Sequence, residues 1–419
     1  MGRMYLPANS ELFSLRTFTL QHPGILVLTT SYPSHPDDWA GVFIAKLAVA
    51  IKKRGYRVTV VAPATPDFHG RRTLDDIETI RFGYFLPRSL ERLTAGAGGI
   101  PENLAESFLA KLQLFPMMMA FLARALFESR SSDILYANWI GAGIIGAAVN
   151  LLRGNPLVVS FRGDDGYLAR DRLLWRILTR WVIRRAVVVT AVSQDLMDIM
   201  VSVGAPASKC CLPRFGVDME LFRPPDQPRR NLGKVRVLFV GSLIPKKGLQ
   251  DLIVALSEPE FMHVSLMVVG DGFYALPLKS LCETSGLKER TQWRGILKPG
   301  DVAEAMRDAD ILCLPSHTEG SPNVVKEAMA SGLPVVATRV GGIPDMVQQG
   351  ITALLYEPGD IEGLRTCLRT MTRDPRLREQ YGRTGRELLV ESGSSWDSTA
   401  EEFDGLFRRL LEQHPRMRK

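Results

Sequence analysis

Residues 311–338 read ILCLPSHTEGSPNVVKEAMASGLPVVAT, and this stretch predicts a strand, a loop, a helix and a second strand in succession. The apolar run Ile311–Leu314 is typical of a short strand that is buried on both faces. Ser321 favours a helix N-cap and Pro322 the first helical position, so we expect a helix to begin there. A second apolar run, Pro334–Ala337, follows the helix. The stretch is therefore one unit of an α/β fold with parallel strands.

The same alternation extends through the chain in two blocks. Strand-like apolar runs alternate with helical segments at residues 24–30, 58–62, 134–136, 157–161 and 186–192, and again at 235–240, 264–269, 311–314 and 334–337. Between the blocks lies the polar, proline-rich sequence RPPDQPRR. A chain of 419 residues exceeds the roughly 250 to 300 that one hydrophobic core supports. We therefore expect two α/β domains with doubly wound parallel sheets, and a functional cleft beyond the carboxyl ends of their strands.

The predicted boundaries follow from this pattern. They are an N-terminal extension at 1–22, a first domain at 23–222, a linker at 223–233, a second domain at 234–394 and a C-terminal helix at 395–419.

The composition is that of an ordinary globular protein, with 46% hydrophobic and 23% charged residues. The net charge of +7 lies entirely in residues 1–225, which hold 26 basic and 19 acidic side chains. This excess indicates either an anionic partner, such as a phosphorylated substrate or an acidic lipid, or simply a solvated surface. Both interpretations stay open at this point.

Several classes of protein do not fit the sequence. The five cysteines form no CxxC pair, which argues against a zinc site, and their odd number fits a reducing compartment. The first twenty residues lack the uninterrupted apolar run of a signal peptide, so we expect a cytoplasmic protein. No G-x-G-x-x-G follows the first strand, which excludes a dinucleotide oxidoreductase. No Asp-x-Asp ends a strand, so no metal site is expected, and neither is a nucleic-acid partner.

Two carboxylates mark the predicted strand-loop-helix unit. Glu319 lies on the loop, and Glu327 lies one to two turns inside the helix. A helix N-terminus favours anions, and a carboxylate nearby can accept hydrogen bonds from vicinal hydroxyls. Alternatively, both are ordinary surface carboxylates.

The run from Leu314 to Pro344, including Gly341-Gly342-Ile343-Pro344, resembles the donor-site signature of the family 4 retaining glycosyltransferases. In that signature two glutamates are separated by seven residues, as Glu319 and Glu327 are here. The resemblance implies the GT-B fold, in which two Rossmann-like domains face each other across a cleft. It also implies an acceptor domain first and a nucleotide-sugar donor domain second.

Carried over residue by residue, the resemblance assigns donor contacts in the second domain. Glu327 would bind the ribose hydroxyls, and Glu319 the hydroxyls of the transferred sugar. Main-chain groups near the donor would come from Gly320, Ser321, Pro322 and Asn323.

A second donor segment, residues 240–248 (VGSLIPKKG), resembles the strand-to-loop turn whose lysine binds the diphosphate. That lysine is Lys247, and Gly241 and Ser242 lie beside it. Many family members carry arginine where this chain has Ser242, so one diphosphate cation is missing.

The first domain resembles the family with departures. Gly41 would permit close approach of the backbone to the diphosphate. Asn138 replaces a histidine that usually reaches the donor sugar, and Arg162 occupies another histidine position. Arg162 would add the cation that Ser242 lacks, or it would form a structural pair with Asp165. Catalytic roles are thus implied for Glu319, Lys247, Asn138 and Arg162.

The implied function is metal-independent, retaining transfer of a sugar from a UDP- or GDP-type nucleoside diphosphate sugar, with no further cofactor. The acceptor would be a glycan or a lipid-linked glycan in polysaccharide biosynthesis. The apolar segment 112–126 and the arginines of 172–185 suggest peripheral attachment to an anionic inner membrane face, or else a core helix and a solvated one. A non-catalytic GT-B binding or scaffold protein and a GT-B epimerase are the rival hypotheses.

Overall fold

The computed structural model describes residues 22–38, 40–94, 100, 103–104, 107–226 and 234–414. Most of the predicted N-terminal extension and of the predicted linker therefore lies outside the described residues.

The first domain is built on an eight-stranded sheet of order β3-β4-β2-β1-β5-β6-β7-β8. All neighbours in this sheet pair in parallel except β3 and β4. The strands are β1 Gly24–Leu28, β2 Arg57–Pro63, β3 Gly70–Leu74, β4 Ile77–Phe82, β5 Ile134–Asn138, β6 Leu157–Phe161, β7 Val188–Ala191 and β8 Cys210–Cys211.

The second domain is built on a six-stranded, all-parallel sheet of order β11-β10-β9-β12-β13-β14. This is the strand order of a Rossmann sheet. The strands are β9 Val235–Val240, β10 Val264–Val269, β11 Thr291–Gly295, β12 Ile311–Leu314, β13 Val335–Thr338 and β14 Ala353–Tyr356.

Helices cover both faces of each sheet. In the first domain they include α1 Val42–Lys53, α2 Phe108–Glu128, α3 Trp139–Arg153, α4 Asp164–Asp171, α5 Leu173–Arg185 and α6 Gln194–Val203. Those of the second domain include α7 Leu249–Leu256, α8 Ala275–Thr284, α9 Pro299–Asp308, α10 Asn323–Ala330, α11 Ile343–Met346, α12 Ile361–Arg373 and α13 Pro375–Glu391, and the last described helix is α14 Trp396–Gln413.

The predicted strands at 157–161, 235–240, 264–269 and 311–314 have the predicted bounds. The prediction for the start of α10 is wrong. The helix begins at Asn323, and Pro322 is the N-cap, with ψ 112° and no side-chain cap. The preceding loop is held extended, because the Gly320 carbonyl accepts a hydrogen bond from the Gly342 amide at 2.9 Å. Ser321 therefore lies in the loop.

The last helix, α14, follows the second domain in sequence but packs on the first. Phe403 and Phe407 are buried there against Tyr136, and Phe407 also lies edge-on to Tyr56. The Tyr56 hydroxyl donates to Asp404 Oδ1 at 2.7 Å. The helix thus completes the core on one face of the first sheet.

Truncating Phe407 should destabilise the first domain. Removing a fully buried phenylalanine costs about 3 to 5 kcal/mol in lost burial and in the cavity that remains. We expect Phe407→Ala to lower the calorimetric unfolding temperature clearly. The exposed Phe273 is the matched control, and Phe273→Ala should change stability by less than about 0.5 kcal/mol. Equal shifts in both variants would contradict the packing role of α14.

Candidate active site

A cleft of about 1060 Å³ separates the carboxyl edges of the two sheets. Loops that follow β1 and β5 line it from the first domain, and loops that follow β9, β10, β11 and β12 line it from the second. Nine of the residues assigned from the sequence line this cleft: Gly41, Gly241, Ser242, Lys247, Glu319, Ser321, Pro322, Asn323 and Glu327.

An ion pair lies within this cleft. Lys247 Nζ is 2.6 Å from Glu319 Oε1, and the buried Ser316 hydroxyl donates to the same oxygen at 2.7 Å. The Glu319 side chain is only 7% exposed, so the charge of Lys247 also compensates for its removal from water. In this structure the two predicted donor-binding side chains are therefore each other's partners.

Two glycines allow the loops to approach this closely. Lys247 ends a short 3₁₀ turn, and Gly248 follows with φ 70°. A Cβ at Gly248 would lie 1.8 Å from the Pro315 carbonyl oxygen, so only glycine fits against the β12 loop. Gly41, with φ 67°, packs in the same way on Ser31, whose carbonyl oxygen would be 2.4 Å from a Cβ.

The loop after β12 is also fixed by the first domain. The Tyr167 hydroxyl lies 2.8 Å from the Glu319 carbonyl oxygen and 2.7 Å from Asp195 Oδ2. A Cβ on Gly320 would lie 2.2 Å from the Arg162 carbonyl oxygen. Gly320 therefore packs against the backbone of the first domain. It is not among the residues that line the cleft.

Glu327 lies on the second turn of α10 and faces the cleft. No described residue donates a hydrogen bond to its carboxylate. Burial without such a partner disfavours the charged form and raises the pKa of Glu327 to about 7. The preceding side chain, Lys326, points elsewhere, because its Nζ donates to the Phe215 carbonyl at 2.6 Å. Glu327 thus offers the cleft a carboxylate that lacks hydrogen-bond donors.

Asn138 and Arg162 do not line the cleft. Asn138 is fully buried, and its Oδ1 accepts a hydrogen bond from Arg162 Nε at 2.7 Å. The Arg162 guanidinium also donates to the Tyr136 hydroxyl at 2.9 Å and lies 4.7 Å from the ring centres of Phe43 and Phe215. The polar groups of Asn138 and Arg162 are thus directed at each other and at Tyr136, and their predicted contacts with the donor stay predictions.

The predicted alternative, a pair between the Arg162 side chain and Asp165, is wrong in its detail. Asp165 accepts hydrogen bonds from the main-chain amides of Arg162, Gly163 and Ile140, at 3.0 to 3.2 Å, rather than from the Arg162 side chain. Its burial raises the pKa of this carboxyl to about 6. Asp165 therefore ties the turn after β6 to the start of α3.

Two further lysines, which were not predicted from the sequence, line the cleft. Lys46 Nζ is 3.4 Å from Asp218 Oδ2, and Lys298 Nζ is 2.7 Å from Asp37 Oδ2 across the cleft. The signal that could have found Lys298 is its place just after β11, at the carboxyl edge of the sheet. Each described lysine that lines the cleft is thus paired with a carboxylate.

No metal centre is apparent in the part of the chain that the structure describes, where no group of three or more His, Cys, Asp or Glu side chains could hold an ion.

Two family models match the chain. "Glycosyl transferase 4-like domain" matches residues 40–216, and "Glycosyl transferases group 1" matches residues 223–388. Together they cover most of both domains.

Curated relatives include the sulfoquinovosyl transferase SQD2 of Arabidopsis thaliana, 32% identical over 70% of this chain. The chain spans less than two thirds of that relative, since the match covers 59% of its length. The D-inositol 3-phosphate glycosyltransferase of Corynebacterium glutamicum is 27% identical, over 96% of each chain.

Among solved structures, the sucrose-phosphate synthase of Thermosynechococcus elongatus has a TM-score of 0.77 at 21% identity, over 94% of this chain and all of the other. HepE of Anabaena, in complex with UDP-glucose, has a TM-score of 0.72 at 20% identity, over 93% of this chain and all of the other. At these identities the likeness concerns the fold. The two domains, the cleft between them and the matched family models agree, and the chain belongs to the glycosyltransferases of the family 4 type, with the GT-B fold.

Proposed function

We propose that this glycosyltransferase moves a hexose-type sugar from a UDP- or GDP-type nucleoside diphosphate sugar to a hydroxyl of a glycan or lipid-linked glycan in polysaccharide biosynthesis. Transfer proceeds with retention of anomeric configuration and without a bound metal ion. The observation that carries the proposal is that Glu319, Lys247 and Glu327 line one cleft between the two sheets. HepE, which shares the fold, has been solved with UDP-glucose, and this supports the donor class.

The reaction exchanges one bond at the anomeric carbon for another. The acceptor oxygen forms a bond to this carbon on the face from which the diphosphate departs, and the bond from the carbon to the phosphate oxygen breaks. The acceptor proton passes to the departing phosphate oxygen. The Glu319 carboxylate is already held by Lys247 and Ser316, so it is better placed to bind sugar hydroxyls than to attack the anomeric carbon.

Donor binding would rearrange the ion pair. The diphosphate brings negative charge to Lys247, while the sugar hydroxyls can donate to Glu319 in place of the ammonium group. Lys247 then neutralises charge that develops on the leaving diphosphate, assisted by main-chain amides at the start of α10. Until the donor arrives, the pairing of Lys247 with Glu319 keeps both charges compensated.

The two rivals receive little support from the geometry. An epimerase needs an acid and a base beside the sugar, and the candidates for those positions, Asn138 and Arg162, are bonded to each other away from the cleft. A scaffold that bound no nucleotide sugar would need no diphosphate cation, yet Lys247 lines the cleft.

The function is tested by incubating the protein with a panel of nucleotide sugars and glycan or lipid-linked acceptors. Mass spectrometry should detect a product heavier by one sugar, and NMR should show the donor's anomeric configuration in it. Activity should persist after treatment with a chelator. Inversion, or activity that only Mg²⁺ or Mn²⁺ restores, would contradict the mechanism. An epimerised nucleotide sugar without transfer would favour the epimerase, and binding without any product would favour the scaffold hypothesis.

Glu327→Gln should weaken donor binding by roughly 1.5 to 3 kcal/mol, the worth of a charge-assisted hydrogen bond. Without the donor, the pKa of Glu327 is raised to about 7. Ribose hydroxyls that donate to the carboxylate stabilise its charged form, so the pKa of Glu327 should be lower in the complex. Binding then releases a proton at low pH, and the donor Kd of the wild type should rise as the pH falls below about 7. Glu327→Gln should lose this pH dependence.

Calorimetric titration with the intact nucleotide sugar measures both effects. Glu304, an exposed carboxylate on α9, provides the control variant Glu304→Gln, which should behave as the wild type. If Glu327→Gln keeps the wild-type affinity and pH profile, the ribose assignment is wrong.

Lys247→Ala should lower kcat more than it raises the donor Kd, because the lysine faces most charge in the transition state. Loss of one such group typically costs about 10²- to 10³-fold in kcat. The neighbouring Lys246 pairs with Asp164 at 2.6 Å and is not among the residues lining the cleft, so Lys246→Ala is the matched control. A change confined to KM in Lys247→Ala would show that the lysine only binds substrate.

A further inference from the structure

Helix α2 is apolar on two opposite faces. Its inner face, which includes Met117 and Phe121, is buried in the core of the first domain. Its outer face exposes four large apolar side chains at the helical spacing i, i+4, i+7 and i+11: Phe108, Leu112, Phe115 and Met119, which are 50 to 74% exposed. An exposed apolar stripe of this size on a packed helix indicates a surface that meets something apolar.

By length and composition alone, the segment 108–131 could cross a bilayer. Its inner face argues against that arrangement. Gln113 Oε1 accepts hydrogen bonds from two main-chain amides, and the Glu128 carboxylate is bound by Arg71 and Arg124 at 2.9 and 2.7 Å. These contacts hold α2 in the helical layer of the domain, so only its outer stripe is free to meet a membrane.

Helix α5 also has an exposed outer stripe, in which apolar side chains are combined with arginines. Its outer stripe, at the same spacing, consists of Leu173, Ile177, Arg180 and Arg184. Helices α2 and α5 both pack against α3, on the same face of the sheet. We call the two outer stripes together the docking face.

The docking face lies in a basic part of the chain. Residues 107–186 hold 11 Lys and Arg and five Asp and Glu, which accounts for nearly all of the net charge of +7. Of the five acids, Glu128 and Asp165 are buried, Asp164 pairs with Lys246, and Asp171 pairs with Arg170. The exposed charge beside the apolar stripes is therefore mainly positive.

We propose that the docking face binds the surface of an anionic lipid bilayer. The apolar stripes enter the boundary between headgroups and acyl chains, and the lysine and arginine side chains contact the anionic headgroups. A second copy of the chain fits less well, because a two-fold interface would place the same positive surface against itself.

The topology connects this face to the cleft. Helix α2 leads into β5 and α5 leads into β7, so both helices begin near the carboxyl edge of the parallel sheet, where the cleft lies. Phe108 and Leu173 are at these beginnings. The bilayer would therefore meet the protein beside the cleft, where a lipid-linked acceptor can enter; this last step alone rests on the proposed function.

The test is sedimentation of the full chain with vesicles, without donor or acceptor. The protein should sediment with phosphatidylglycerol-containing vesicles at low ionic strength, leave them when salt is added, and ignore pure phosphatidylcholine. Phe108→Ser with Phe115→Ser, and separately Lys111→Gln with Arg184→Gln, should each weaken binding by about tenfold or more. Leu276, 78% exposed on α8 of the second domain, provides the matched control Leu276→Ser, which should bind as the wild type.

A melting temperature equal to that of the wild type shows that a variant is folded. If a double variant does not fold, its two single variants are tested instead. Failure to sediment at any ionic strength, or equal binding to both kinds of vesicle, overturns the proposal. So does a dimer in light scattering that the serine variants abolish. Vesicle binding and sugar transfer are measured separately, so the failure of one leaves the other proposal standing.

Discussion

The cleft depends on the way parallel strands are ordered in the two sheets. In the second domain β9 lies between β10 and β12, and in the first β1 lies between β2 and β5. The chain connections on the two sides of such a central strand run over opposite faces of the sheet. A crevice therefore opens between them at the carboxyl edge. Two of these crevices face each other here. The predicted donor side chains lie together because each follows a strand that ends at this edge.

Within the cleft, each described lysine is paired with a carboxylate, while further carboxylates also line it. Lys247 with Glu319, Lys298 with Asp37 and Lys46 with Asp218 are paired, while no described residue gives Glu327 an ionic partner or a hydrogen-bond donor. The proposed donor, a nucleoside diphosphate sugar, carries both anionic phosphates and hydroxyl groups. Its phosphates can contact the lysines, and its hydroxyls can donate hydrogen bonds to the carboxylates. The arrangement is thus complementary to a ligand with both kinds of group, rather than to a simple anion.

The sequence was sufficient for the parts of the structure that local patterns control. Apolar runs such as Val235–Val240 have no other stable place than a sheet covered on both faces, so their bounds were predictable. The site was predictable where residues lie close in sequence, as Glu319 and Glu327 do.

What the sequence could not show depends on partners far away in the chain. The burial of Arg162 between two aromatic rings requires Phe43 and Phe215. The extended loop before α10 is held by Gly342, which lies 22 residues downstream of Gly320. The ion pairs of Lys46 and Lys298 likewise join segments that are distant in the sequence. The exposed stripe of α2 could not be predicted for another reason. When apolar residues occur on several faces of a helix, its sequence does not show which face packs against the core.

The position of α14 has a mechanical consequence. Polypeptide passes between the domains once between Phe215 and Val217 and once again before Trp396. These two crossings touch: the Val217 amide donates to the Ser394 carbonyl at 3.2 Å, and a Cβ on Gly216 would lie 2.2 Å from the Ser395 carbonyl carbon. Two crossings that meet at one place act as a pivot. The domains can therefore swing apart about this point more easily than they can slide past each other.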